Sequence, residues 1–383
     1  MDLALNDEQQ LIADSAAAFL AEASAMPAVR AASEQGDGFD RGLWHGLSEL
    51  GWCGVHLPEA AGGLGLGVVE LALLQEQLGR HLACVPFFDS VALAATLLRE
   101  LPDPAASGDL RHRLASGGQI AALALSQPLD DTSAAARATP SATGWTLDGT
   151  WPRVGSAQVA DLLLLPACNA SGERLLFQVP ADAPGLRVQP LAPVDATRRS
   201  ADVAAVAVDV PASMCMARGH ALAEAWTRTR CLAAIALAAE HVGVAQACLD
   251  LTLTYTAQRH QFEKPIASFQ AVKHRCAQML VALEGARSAV YGAACMADTG
   301  PDAATLLFHA AQACVEATEA AQFCAREAIQ LHGGMGFTWE FDPHRYFRRA
   351  QLGSQRLGPL AWWREQVAAQ LLDAPATTLE TTA

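Results

Sequence analysis

Two stretches and one isolated acid hold the residue types best suited to chemistry. RHQFEKPIASFQAVKH (259–274) opens on an arginine, and AIQLHGGMGFTWEFDPHRYFRRA (328–350) carries Gly333, Gly334 and Gly336. A Gly-Gly-x-Gly run lets backbone approach a bound molecule more closely than side chains would allow. The acid is Glu240, which interrupts the otherwise nearly apolar run CLAAIALAAEHVGVAQACL (231–249). Burial there would disfavour its ionised form and raise its pKa, a useful property in a general base. Structural roles are the alternative. Glu240 would then pair with a base such as Lys273 or His274, or face water. Arg259 would make a surface salt bridge, and the glycines would only end a helix.

Other chemistries find little support. The ten cysteines form no CxxC pair, and no Cys/His cluster has metal-ligand spacing, so no metal is expected. Glycines 62, 63, 65 and 67 lack the spacing and the following Lys-Ser/Thr of a phosphate loop, and read as a tight turn. A net charge of −14 without a basic cluster argues against a nucleic-acid partner. No apolar run approaches the roughly 18 residues of a membrane span. The acidic N-terminus MDLALNDEQQ does not read as a signal peptide. With core thiols that read as reduced, this points to the cytoplasm and to no membrane partner.

The elements that must position these residues fall into three textures. At 383 residues, 51% of them hydrophobic and 17% charged, the chain can form two or three ordered units. Residues 1–117 read as helical, with Asn6-Asp7 capping a first helix. Residues 118–212 alternate short apolar runs with Gly, Pro, Asp and Asn turns, the mark of a small antiparallel β domain. Residues 220–371 are Ala-rich with helical periodicity in four segments, 221–258, 268–298, 302–331 and 343–371, which favours a four-helix bundle. A short tail, 372–383, follows. The expected fold is mainly α with a central β domain.

The first stretch resembles the acyl-CoA dehydrogenase signature R-x-x-F-G-x-x-I-x-x-F-Q, and the second resembles the same superfamily's Q-x-x-G-G-x-G-[FY] segment with its downstream arginine. Order and spacing of the two motifs agree with it, and the likeness runs over nearly the whole chain. The resemblance implies FAD as cofactor, with Arg259, Phe262, Gln270, Gln330, Gly333 and Gly334 touching it, partly across a subunit interface. An arginine with bidentate donors suits the FAD pyrophosphate. The resemblance further implies an acyl-CoA substrate, electrons passed to an electron-transfer flavoprotein, and a homo- or heterotetramer. The superfamily's Gly after Phe is Glu263 here.

In that superfamily a carboxylate removes the α-proton of the thioester while the β-hydride passes to the flavin. By the likeness, its two usual positions fall on Leu357 and Ala233, and no Asp or Glu occurs between Pro343 and Arg364. Glu240 lies seven residues beyond Ala233, near the same helical face, and is the remaining candidate base. The β-domain motif T-E-P-x-A-G-S-D corresponds to LSQPLDDTS (125–133), which keeps Ser126 and Pro128. Arg153 and Gly155, with Trp151 nearby, stand where many relatives place Trp and Thr beside the flavin. The AAEHVGVAQ helix and GGMGFTWEFD resemble members acting on bulky steroid-derived or dicarboxylic acyl-CoAs, several of them two-gene heterotetramers. Three functions follow from the resemblance: an FAD-dependent acyl-CoA dehydrogenase subunit, a non-catalytic partner completing a neighbour's FAD site, or a flavin-dependent monooxygenase on the same fold.

Overall fold

The computed structural model describes residues 5–35, 37–102, 108–125 and 136–372. Ser126 and Pro128 lie outside the described residues. The N-terminal unit comprises α1 (Asp7–Ala23), α2 (Met26–Arg30), α3 (Arg41–Glu49), α4 (Val68–Arg80), α5 (Thr96–Glu100) and α6 (Gly108–Ala115). A π-helical stretch, Phe88–Ala95, leads directly into α5. Asn6 caps α1 in a reciprocal box with Gln9, as the sequence predicts. The 57–67 segment is a tight turn, with Gly62 and Gly65 in the left-handed region.

Strands β1 (Ala121–Leu123), β2 (Ala136–Pro140), β3 (Gly144–Gly155), β4 (Leu162–Cys168), β5 (Arg174–Pro180), β6 (Leu186–Pro190), β7 (Ser200–Pro211) and β8 (Cys215–Arg218) form one sheet. Its path is β6-β7-β3-β2-β4-β5-β8. Most pairings are antiparallel, but β1 runs parallel to β4 and β2 touches β4 in parallel, so the sheet is mixed. The antiparallel expectation came from frequent turn signals, which say nothing of a strand that enters from the preceding helices. Trp151 anchors the sheet, buried and donating its indole N–H to the Pro166 carbonyl at 2.9 Å. Between Trp151 and Val154 the β3–β7 register slips, and Arg153 takes a φ of 53° there. Such irregularities re-aim a side chain at the rim of a sheet.

The C-terminal unit is built on α7 (Gly219–Gln258), a 40-residue helix. It is followed by α8 (Gln270–Asp298), α9 (Ala303–His332), α10 (Pro343–Gly353) and α11 (Leu360–Leu372). The expected fourth segment, 343–371, is therefore two helices, parted by a turn that contains Gly358-Pro359. Helix α7 is long and apolar enough to cross a membrane by composition, yet 94% of its most apolar window is buried. Neighbours α4, α8, α9 and α10 cover it, as a helix apolar all round requires. Small residues permit the closest of these contacts. A Cβ on Gly243 would meet the Glu76 carbonyl oxygen at 1.9 Å, and one on Gly79 the Glu240 carbonyl at 2.3 Å. Helices α4 and α7 thus pack backbone to backbone, which brings the middle of α7 under the N-terminal unit.

Candidate active site at the junction of the three units

Glu240 sits at that crossing, 1% exposed. From α4, Gln75 donates to its Oε2 at 2.7 Å. From the loop before β7, Arg198 forms a close ion pair with the same oxygen. From α10, Arg349 approaches Oε1 at 3.5 Å, without hydrogen-bond geometry. Burial alone would raise the Glu240 pKa, but the Arg198 and Arg349 guanidiniums outweigh it and hold the carboxyl down at about 2. The raised pKa expected from the sequence is thereby corrected. Burial was read properly; two arginines distant in sequence reverse its effect. Lys273 and His274, the partners named from the sequence, are exposed on α8.

The network continues on both sides. Arg349 Nε meets Asp195 Oδ2 at 2.6 Å, and its Nη2 reaches Thr197 Oγ1 at 2.5 Å. Beside Glu240, His241 is packed under Gly353 and shares a 3.2 Å hydrogen bond with Thr318. Burial lowers the His241 pKa to about 4 despite the neighbouring carboxylate. Arg356 pairs with Asp89, which also accepts a 2.5 Å hydrogen bond from Ser156. Ala233 and Leu357, on which the resemblance would place the superfamily's base, are buried and apolar. Asp89, Asp195, Arg198 and Arg356 were not singled out from the sequence. Arg349 carried a partial signal as part of the second motif, whereas Asp195, Arg198 and Arg356 lie in loops and turns that no periodicity marks, and Asp89 stands at the start of the π-helical stretch.

The motif residues gather elsewhere, at one end of the bundle. Tyr255, near the end of α7, stacks on His332, the last residue of α9, with ring centroids 4.2 Å apart. This brings Arg259 and the Gly333-Gly334 pair to the same end. Arg275 reaches Glu327 at 3.5 Å, bringing the start of α8, with Gln270, alongside Gln330. Arg259, Gln270, Gln330, Gly333 and Gly334 are all exposed, and Phe262 is 85% exposed. A Cβ on Gly333 or Gly334 would meet nothing within 4 Å. Between His260–Gln261 and Lys264–Pro265, two short strands form a hairpin. Its turn residues Phe262 and Glu263 have φ of 53° and 66°, the arrangement that favours glycine. Glu263 thus keeps the turn geometry expected of the glycine it replaces.

This shelf suits one end of a dinucleotide: a guanidinium, two amides, an aromatic ring and unobstructed backbone, all facing outward. Among the described residues, no group of three His, Cys, Asp or Glu side chains is placed to hold a metal.

The fold and the motif shelf together define a flavoprotein dehydrogenase subunit, and the chain belongs to the acyl-CoA dehydrogenase family, whose members are FAD-dependent oxidoreductases. The family's N-terminal domain matches residues 6–117 and its C-terminal domain residues 232–372. The chain is similar to the acyl-CoA dehydrogenase IpdE2 of Mycobacterium tuberculosis, 34% identical over 92% of this chain and 93% of that one. The ChsE4-ChsE5 complex from Mycobacterium tuberculosis superposes with a TM-score of 0.88 at 29% identity, over 98% of this chain and 100% of the matched one. A variant of the Tcur3481-Tcur3483 steroid acyl-CoA dehydrogenase does so at 0.84 and 31% identity, over 96% and 98%.

Proposed function

We propose that this chain is one subunit of a cytoplasmic, heterotetrameric acyl-CoA dehydrogenase acting on a bulky, steroid-derived acyl-CoA, and that it completes the FAD site of a partner that supplies the catalytic base. The observation that carries this reading is the state of Glu240. It is ionised and enclosed by Gln75, Arg198 and Arg349, so it has no open side from which to take a substrate proton. Ala233 and Leu357 cannot replace it.

When bound, FAD supplies the acceptor for the β-hydride. The contribution of this chain is binding. Arg259 would hold the pyrophosphate by charge-assisted bonds, Gln270 and Gln330 would offer amide donors and acceptors, and Gly333-Gly334 would admit the cofactor against the backbone. Phe262, Phe337 and Trp339, all largely exposed near these residues, offer an apolar rim for a second subunit. Electrons would leave to an electron-transfer flavoprotein. Relatives solved as two-component assemblies, the ChsE4-ChsE5 complex and the Tcur3481-Tcur3483 steroid enzyme, support a heteromeric reading.

The test is to purify the chain alone and co-expressed with candidate acyl-CoA dehydrogenase partner subunits. Visible spectra and anaerobic bleaching by steroid-derived acyl-CoA esters are then recorded. Bleaching only in the complex is the expected result. A chain that binds flavin by itself and is bleached by acyl-CoA would sink the proposal.

A further inference from the structure

Among the described residues, the exposed aromatic side chains are Phe262, Phe337 and Trp339, and all three lie at the shelf end of the bundle. We infer, building on the proposed function, that Trp339 is the anchor by which this chain holds a different dehydrogenase subunit. That subunit presents an apolar pocket for the indole and a carboxylate for Arg348.

Helix α10 begins four residues after Trp339 and turns its first residues back on the indole. His344 meets the ring edge-on, with centroids 4.9 Å apart, and the Arg345 and Arg348 guanidiniums lie 5.4 Å and 5.1 Å from it. Arg345 is tied down by Glu34 and Asp342, and Arg30 of α2 binds the same Asp342 at 2.7 Å. Trp339 is therefore held in place by its neighbours while remaining 60% exposed. Little side-chain entropy is left for it to lose on docking. A tryptophan beside arginines is the combination of residue types that most often dominates the energy of an interface. Arg30 and Arg345 have carboxylate partners, but Arg348 has none among the described residues. Its Nη1 reaches only the Val194 carbonyl, at 3.5 Å, and the Val194 side chain is itself exposed. The patch is thus apolar with one uncommitted cation, which sets the chemistry of its complement.

Charge favours a different subunit over a second copy. Both lysines of the chain, Lys264 and Lys273, are exposed at this end, although the net charge is −14. A two-fold contact between identical copies is reciprocal, so it would bring two sets of Lys264, Lys273 and Arg348 to one interface. Like charges facing each other across an interface are costly, whereas acidic residues on a different subunit reverse the sign. The patch is also continuous with the cofactor shelf. Phe337 and Trp339 follow directly on Gly333-Gly334, and Phe262 turns the hairpin after Arg259. That is the surface which the family likeness sets partly across a subunit boundary.

The test is sedimentation velocity and isothermal titration of the full chain against candidate acyl-CoA dehydrogenase partner subunits, with FAD present. Trp339→Ala should weaken the complex by about thirty-fold or more, and Trp339→Phe by less. Arg348→Glu should weaken it about ten-fold, while Arg348→Lys keeps most of the affinity. Each variant alone should melt as the parent does, because both side chains project from the surface. At concentrations that restore assembly, flavin per complex should equal that of the parent. If the parent complex forms and Trp339→Ala binds the partner equally well, this inference fails and the proposed function stands. If the parent binds no partner subunit, both fail. A homo-oligomer of the chain alone that dissociates in Trp339→Ala would assign the patch to a second copy. Flavin lost from a fully assembled Trp339→Ala complex would assign the indole to the cofactor. Either result overturns the inference.

Discussion

Glu240 illustrates how one residue's chemistry is decided by its neighbours. A carboxyl in an apolar helix is a natural candidate for a raised pKa, but Arg198 and Arg349 reverse the sign and leave an anion near pKa 2. Removing that charge leaves two buried guanidiniums with less compensation. Breaking such a pair costs on the order of 3 kcal/mol, so Glu240→Gln should lower the urea midpoint markedly. A midpoint unchanged from the parent would contradict the ion-pair assignment. The pH dependence follows from the same pair of residues. The Glu240 pKa is lowered in the fold, so its stabilisation is present above pH about 4.5 and is lost as pH falls toward about 2. His241 is held neutral by burial down to about 4, while the unfolded chain takes up its proton near 6.5. Unfolding is therefore favoured as pH drops through that interval, by on the order of 3 kcal/mol in all. Denaturation midpoints measured from pH 7 to pH 4 should fall steadily, and His241→Phe should flatten the upper part of the curve.

Among the elements, the contact of α4 with α7 governs where Glu240 lies. Gly243 and Gly79 allow the two backbones to touch, which no side chain at either position would permit. Gly243→Ala should separate the helices and destabilise the fold by roughly 2 kcal/mol or more, read from thermal unfolding. An unchanged Tm would show that the contact is looser than 1.9 Å implies. The hairpin turn at 262–263 carries strain of the opposite kind. Glutamate at a φ of 66° is held where glycine rests freely. Glu263→Gly should therefore stabilise by about 0.5–1 kcal/mol, against which the greater freedom of glycine in the unfolded chain works. A loss of stability would mean that the Glu263 side chain makes a compensating contact. Neither feature was visible as a pattern. Glycines 79 and 243 stand in ordinary helical periodicity, and only the departure at Glu263 from the family's glycine marked the turn.

For the whole molecule, the consequence is a division of labour between two ends of one subunit. The buried junction joins all three units through Asp89, Arg198, Glu240 and Arg349, while the motif shelf faces outward. If the shelf serves a cofactor seated mainly in a neighbour, Arg259→Ala should leave this chain's folding intact and lower the FAD content of the assembled complex about ten-fold. The 450 nm absorbance per complex measures this. Full flavin occupancy in that variant would remove Arg259 from the site.

The sequence by itself determined the order of α, β and bundle units and the family, and it proposed the residues of the cofactor shelf. Periodicity, turn chemistry and the two motifs are local properties of adjacent residues, and they survive folding unchanged. Only the tertiary structure decided the protonation state of Glu240. The groups responsible are 42 to 109 positions away from Glu240 along the chain, at Arg198 and Arg349. Coulomb interaction depends on distance in space and on burial, and neither can be read from separation in sequence.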